Sequence, residues 1–179
     1  IDMKIPIYQI DAFTGTLFKG NPAAVCLFES WLDDPTMLNI AAENNLSETA
    51  FFVKEKSGYA LRWFTPAIEI DLCGHATLAS AFVIFNELDP TRNEVAFETR
   101  SGKLIVKKEA DLLSMDCPSR KPVPCTPPPE LLQGLGGKPI EILKSRDYFV
   151  VYSSEEEIRS IKPDMKLLEK VDALGVIVT

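Results

Sequence analysis

Asp71-Leu72-Cys73-Gly74-His75-Ala76-Thr77 sets a small, polar start in front of an apolar helix that runs to Leu88. Between Gly74 and Asn86 there is no Asp, Glu, Lys or Arg, and Ala, Leu, Val, Ile and Phe occupy every face of the helical wheel. Such a helix is expected to be buried all round. At about thirteen residues it is too short to cross a bilayer. Its first turn has N–H groups without intrahelical partners and carries the positive end of the helix dipole, a combination that suits a carboxylate or phosphate. Gly74 would let a ligand approach the backbone, and Cys73 and His75 beside it are able to exchange protons. An ordinary core helix with a glycine start and a structural cysteine would give the same pattern.

Glu48 is the second candidate. It lies in Leu46-Ser47-Glu48-Thr49-Ala50-Phe51-Phe52, among mostly nonpolar neighbours, and burial would raise its pKa toward the range a general acid/base needs. On position alone it reads equally as a solvated loop glutamate. Cys73 could serve as a thiol base at a helix N-terminus, or as a small buried hydrophobe. His75, the single histidine, is open to a catalytic or a packing role; Asp71 could be a helix cap, and Asn21 in Gly20-Asn21-Pro22 a turn residue. Cys26, Cys73, Cys117 and Cys125 contain no CxxC pair, and one histidine does not complete a zinc site of the usual spacing, so no metal is expected.

The 179 residues are 46% hydrophobic and 25% charged, the balance of a soluble globular chain with a sizeable core. A net charge of −7 and no basic cluster longer than Lys107-Lys108 argue against a nucleic-acid partner. No apolar run nears about twenty residues and no basic segment precedes an apolar one at the N-terminus, so neither a membrane span nor a signal peptide is expected. The expected compartment is the cytoplasm, in keeping with unpaired cysteines. Ile1-Asp2 stands before Met3, where natural translation is expected to start.

The elements that must position these residues follow from periodicity and punctuation. Strands are expected over 4–13, 23–28, 49–53, 59–64, 94–99, 103–108 and 112–116. Asp34 as N-cap with Pro35 behind it opens a helix to Asn44, and the apolar helix covers 74–88. Strands follow strands here, which disfavours a doubly wound parallel sheet, and the absence of GxGxxG or a P-loop weakens nucleotide readings. Several strands wrapped around one helix would cover it on all sides. Six of the twelve residues from Pro118 to Pro129 are proline, the composition of a semi-rigid linker. The expected organisation is a first domain over 1–117, a linker over 118–129 and a partial second domain over 130–179. In the last, helices are expected at 130–135, 155–160 and 163–171 and strands at 148–152 and 174–179. About fifty residues make a marginal core, so this second domain is expected to be incomplete.

The motifs occur together in a recognisable order. Asp11-Ala12-Phe13, Gly20-Asn21-Pro22-Ala23-Ala24-Val25, Asn45-Leu46-Ser47-Glu48-Thr49, Arg62-Trp63-Phe64-Thr65-Pro66 and Cys73-Gly74-His75-Ala76-Thr77-Leu78-Ala79 resemble the PhzF family, the phenazine-biosynthesis isomerase and its relatives. The resemblance runs from about Lys4 to the end and weakens after the prolines. It implies an α+β, diaminopimelate-epimerase-like fold, with two pseudo-symmetric domains that each wrap a sheet or barrel around a central helix and share an active site in their cleft. It also implies cofactor-independent isomerisation of a small carboxylate-bearing substrate, with Glu48 as acid/base, Gly74 and His75 in the substrate site, and a homodimer.

Proline racemases and diaminopimelate epimerases, related in fold, place a catalytic cysteine in a similar setting. A two-base racemase using Cys73 is therefore the alternative, although Cys117 and Cys125 offer no evident partner thiol. A small-molecule-binding homologue without chemistry is the third reading. The family's second half ordinarily continues past a strand like 174–179 into an acidic residue, a Thr-Gly-Ser-like turn and another buried helix. The resemblance therefore implies that the 179 residues alone lack one half-site and are inactive.

Overall fold

The structure is a computed structural model that describes residues 4–179, divided into two compact units, the first ending at Cys117 and the second covering Pro118–Thr179. In the first unit the strands β1 (Ile7–Ala12), β2 (Asn21–Phe28), β3 (Glu48–Glu55), β4 (Gly58–Phe64), β6 (Glu94–Thr99), β7 (Gly102–Glu109) and β8 (Leu112–Asp116) join in that order, and a short β5 (Glu69–Ile70) pairs with β4. The sheet is mixed: β2 runs parallel to β3 and β4 to β6, while the other neighbours are antiparallel.

The apolar helix α2 (Gly74–Val83) packs on β1, β2 and β3, and also on β8 from the far end of the sheet. Six strand spacings would separate β1 from β8 by roughly 29 Å in a flat sheet, far more than the ~10 Å width of a helix. The sheet must therefore curl around α2. Strand alternation builds the two faces this requires. Ala23, Val25, Ala50, Phe52, Leu61, Trp63, Phe97, Leu104 and Val106 belong to the core that holds α2. Cys26, Phe28, Phe51, Val53 and Phe64 belong to a second core with Met37 and Ala41 of α1 (Asp34–Asn44). β3 is thus covered on both faces, which accounts for its unbroken apolar run.

Several local expectations are corrected. Asp33, not Asp34, caps α1: its Oδ1 accepts from the Thr36 N–H at 2.9 Å, so Pro35 takes the second helical position. The long helix is α-helical only to Val83 and continues as a π-helical turn over Ile84–Leu88. Nor is it buried all round. Leu78 is half-buried and Phe82 is 43% exposed, because the curl leaves α2 open between β1 and β8. An open groove of about 850 Å³ lies there, lined by β1, the loop after it, Leu78, Phe82 and the β7–β8 turn.

The second unit has a four-stranded sheet in the order β12 (Val176–Val178), β11 (Tyr148–Val151), β10 (Glu141–Lys144), β9 (Val123–Pro124), with β11 and β12 parallel. Its core gathers Leu131 and Leu135 of α3 (Pro129–Leu135) with Tyr148, Val150, Tyr152 and Val171. Residues 118–129 do more than link: they supply the edge strand β9, a position that tolerates proline, and the first residue of α3. Of these elements, β10 has too short an apolar run to show in the sequence. The helix expected over 163–171 contracts to α5 (Met165–Leu168), capped by Asp164, while α4 occupies Glu155–Ser160. Among the described residues no helix is long and apolar enough to cross a membrane.

Candidate functional site

The sheet register brings the sequence candidates together. β2 and β3 run parallel with Ala23 opposite Glu48, so the Asn21-Pro22 entry to β2 and the Ser47-Glu48 entry to β3 lie side by side. α1 ends just before this point. Asn45 sits in the left-handed conformation (φ 50°) and its N–H returns to the Ala41 carbonyl, a stop that asparagine tolerates. α2 packs on both strands and presents its first turn to the same place.

Glu48 Oε2 lies 3.2 Å from His75 Nε2, with the glutamate side chain 18% exposed and the imidazole 8%. Ser47 Oγ stands 3.5 Å from the same nitrogen and donates to Asn21 Oδ1 at 3.3 Å or to the Pro22 carbonyl at 3.4 Å. Cys73 Sγ is 3.4 Å from the second ring nitrogen, His75 Nδ1. Burial pushes the His75 imidazole below its ordinary pKa, against the opposing pull of the Glu48 carboxylate and of the Pro22 carbonyl. The ring is therefore neutral near pH 7. Burial pushes the Cys73 thiol up to about 12, with the Ala76 N–H pulling down, the Glu48 charge adding to the rise, and the His75 N–H pulling down. A protonated thiol beside a neutral imidazole assigns the tautomer: the S–H donates to Nδ1, and Nε2–H points to Glu48 and Pro22.

Cys73 is the N-cap of α2 and its side chain makes no full capping hydrogen bond, although the Ala76 and His75 N–H groups face its sulfur, so the end of the helix dipole and the Gly74 N–H are what an anion would meet. Gly74 is half-buried, and a Cβ there would meet only Met115 Cε at 3.6 Å. Cys73, not Asp71, is the N-cap residue of α2. Asp71 stands exposed two residues before it, and its carbonyl accepts from Ser101 Oγ at 2.8 Å. Asn21, read as a turn residue, is the first residue of β2 and reaches the site through Ser47.

Two participants escaped the sequence reading. Ser47 had a signal, its place next to Glu48 in a quoted motif, while the Pro22 carbonyl had none. The single histidine also does not prevent donors of metal-binding type from meeting: Glu48, Cys73 and His75 each offer an atom within 4.8 Å of the others. The spacing rule looks for local pairs, and this set joins a strand start to a helix start.

A family model described as phenazine biosynthesis-like protein (PhzC-PhzF) matches residues 10–179. An uncharacterized isomerase of Pseudomonas aeruginosa is 50% identical over 177 residues, which cover 99% of this chain and 68% of that one. An uncharacterized isomerase of Halalkalibacterium halodurans is 46% identical with the same coverage. A crystal structure of a PhzF-family phenazine biosynthesis protein from Enterococcus faecalis superimposes with a TM-score of 0.90 at 49% identity, over 98% of this chain and 68% of its own. A Pseudomonas aeruginosa protein described as a predicted epimerase shares the fold at a TM-score of 0.73 and 19% identity, covering 98% of this chain and 70% of its own. The sheet curled around α2 is thus an α+β fold of the epimerase-like kind.

Proposed function

The chain belongs to the phenazine biosynthesis-like (PhzC-PhzF) family, and from that premise we propose that it serves as a cofactor-independent isomerase, with Glu48 moving a proton on a small carboxylate-bearing metabolite. The observation that carries this reading is the 3.2 Å contact of Glu48 Oε2 with His75 Nε2 at the open start of α2.

The substrate carboxylate is held at the first turn of α2, at Gly74 and His75, where the helix dipole favours an anion and the half-buried Gly74 leaves its backbone N–H approachable. That fixes the adjacent C–H over Glu48. The Glu48 carboxylate removes the proton and returns it at another carbon, so the same group is base and then acid. His75 is the orienting partner. Neutral, and donating from Nε2, it holds the carboxylate without competing for the proton. Burial of the Cys73 thiol in protonated form weighs against a cysteine base and leaves that group to fix the ring from its Nδ1 side.

The test uses deuterated buffer and a panel of small carboxylates with an acidic C–H. Label should wash into the substrate carbon with the protein extended to its relatives' length and not with the 179 residues alone, and Glu48→Gln in the extended form should slow it by about 10²–10⁴-fold, the usual loss of a general base. Wash-in that survives Glu48→Gln unchanged would remove Glu48 from the chemistry. Ligands that raise thermal stability without exchanging label would favour a binding role instead.

A further inference from the structure

Three donor types meet at one point of the first unit: a carboxylate (Glu48), a thiol (Cys73) and an imidazole (His75), their ligand atoms all within 4.8 Å of one another. Cys73 Sγ and His75 Nδ1 are 3.4 Å apart. Around a tetrahedral zinc with bonds of about 2.3 Å to sulfur and 2.0 Å to nitrogen, the S···N edge is about 3.5 Å. We propose that Glu48, Cys73 and His75 form a site for a zinc-type divalent cation, with its fourth position open, and that occupancy shuts off proton transfer at Glu48.

The surroundings fit a cation of this class. Carboxylate and thiolate together balance its charge, so the buried centre is neutral overall, and a thiolate with an imidazole selects zinc or cobalt over magnesium or calcium. Coordination through Nδ1 leaves Nε2–H on the Pro22 carbonyl, the kind of outer partner that fixes a ligating ring. Burial opposes the Cys73 thiolate, the Ala76 and His75 N–H groups that face the sulfur offset part of that, and the bound cation would have to supply the rest. Forming the S–metal bond releases the thiol proton to solvent, with no change of oxidation state. Glu48 leaves Nε2 to reach the cation, which takes away the carboxylate that the isomerase reading needs. Only the inhibitory half of the proposal rests on that reading.

The probe is Co²⁺, whose tetrahedral thiolate complexes absorb in the near ultraviolet, added to the 179-residue chain. One equivalent should give that band, Zn²⁺ should displace it, and Zn²⁺ should raise the melting temperature. Cys73→Ser should abolish the band and weaken binding by at least about tenfold, and Cys117→Ser and Cys125→Ser should keep it. Glu48→Gln, an isosteric change at a half-buried position, should keep the band but bind about tenfold more weakly. No band, a band lost with Cys117 or Cys125 instead, or unchanged affinity in Glu48→Gln would overturn the site. A stoichiometric band with label wash-in undiminished in the protein extended to its relatives' length would overturn the inhibition and leave the cation site standing, while the Glu48 acid/base reading is decided separately by wash-in of metal-free Glu48→Gln.

Discussion

Replacing Cys73 and Glu48 in parallel separates a glutamate isomerase from a thiol racemase. With the Cys73 thiol pushed up to about 12, only about one molecule in 10⁵ carries a thiolate at pH 7. A mechanism that drew on that thiolate would start about 7 kcal/mol behind one using a group already in its working form. Cys73 therefore should not be the base, and Cys73→Ser, which keeps a donor for His75 Nδ1, should hold label wash-in within about tenfold of wild type, the worth of one hydrogen bond. Glu48→Gln should lose about 10²–10⁴-fold. The thiol can be followed without any substrate: iodoacetamide alkylation of the Cys73 peptide, read by mass spectrometry, should rise with pH with no plateau up to about pH 11. A plateau near neutrality, or a loss in Cys73→Ser as deep as in Glu48→Gln, would refute the reasoning and install the racemase.

Because the sequence has one histidine, ¹⁵N-histidine labelling reads His75 without assignment, and the neutral Nε2–H tautomer should persist below the free imidazole's titration range near pH 6.5. A folded pKa below the unfolded one means the stability His75 contributes is complete above about pH 6.5 and is lost as pH falls through the folded value, a loss His75→Asn should remove in urea melts. Cys26 gives the opposite sign: burial pushes its thiol up to about 12 from 9.0, so stability present below pH 9.0 drains as pH rises toward 12, and Cys26→Ala should flatten that alkaline slope by about one proton. Gly58 holds φ +153° where β3 turns into β4, and an added Cβ would stand 2.4 Å from the Ala96 carbonyl oxygen on β6. Gly58→Ala should therefore cost about 1–3 kcal/mol in urea unfolding, and a neutral result would refute the close approach.

Much of the fold was legible because β1 to β4 and β6 to β8 carry alternation and turn residues strong enough to place them locally. Their closure around α2 was legible only in outline. The open side at Leu78 and Phe82 depends on where the curl of the sheet stops, and a helical wheel of uniformly apolar residues cannot show which face is left over. Asp33 and Asp34 compete for one cap, and the chain's approach to α1 decides between them. In the site, Cys73, Gly74 and His75 announce themselves as neighbours. Glu48 reaches His75 across twenty-seven positions through the parallel pairing of β2 with β3, and neither residue alone signals the other. The resemblance supplied that pairing of roles; the positions of Ser47 and the Pro22 carbonyl required the register.

Glu48 is the first residue of β3, which is hydrogen-bonded to β2 and β4 and buried on both faces from Thr49 to Val53. Amide protons in that stretch can meet solvent only when the whole first unit opens, whereas the exposed segment from Phe13 to Lys19 exchanges through small local fluctuations. Fraying that loosens loops therefore leaves the carboxylate in place. Heat should displace the Glu48 carboxylate in step with the disappearance of the first unit's slowest-exchanging amides, with no milder range in which that core persists and the carboxylate is lost.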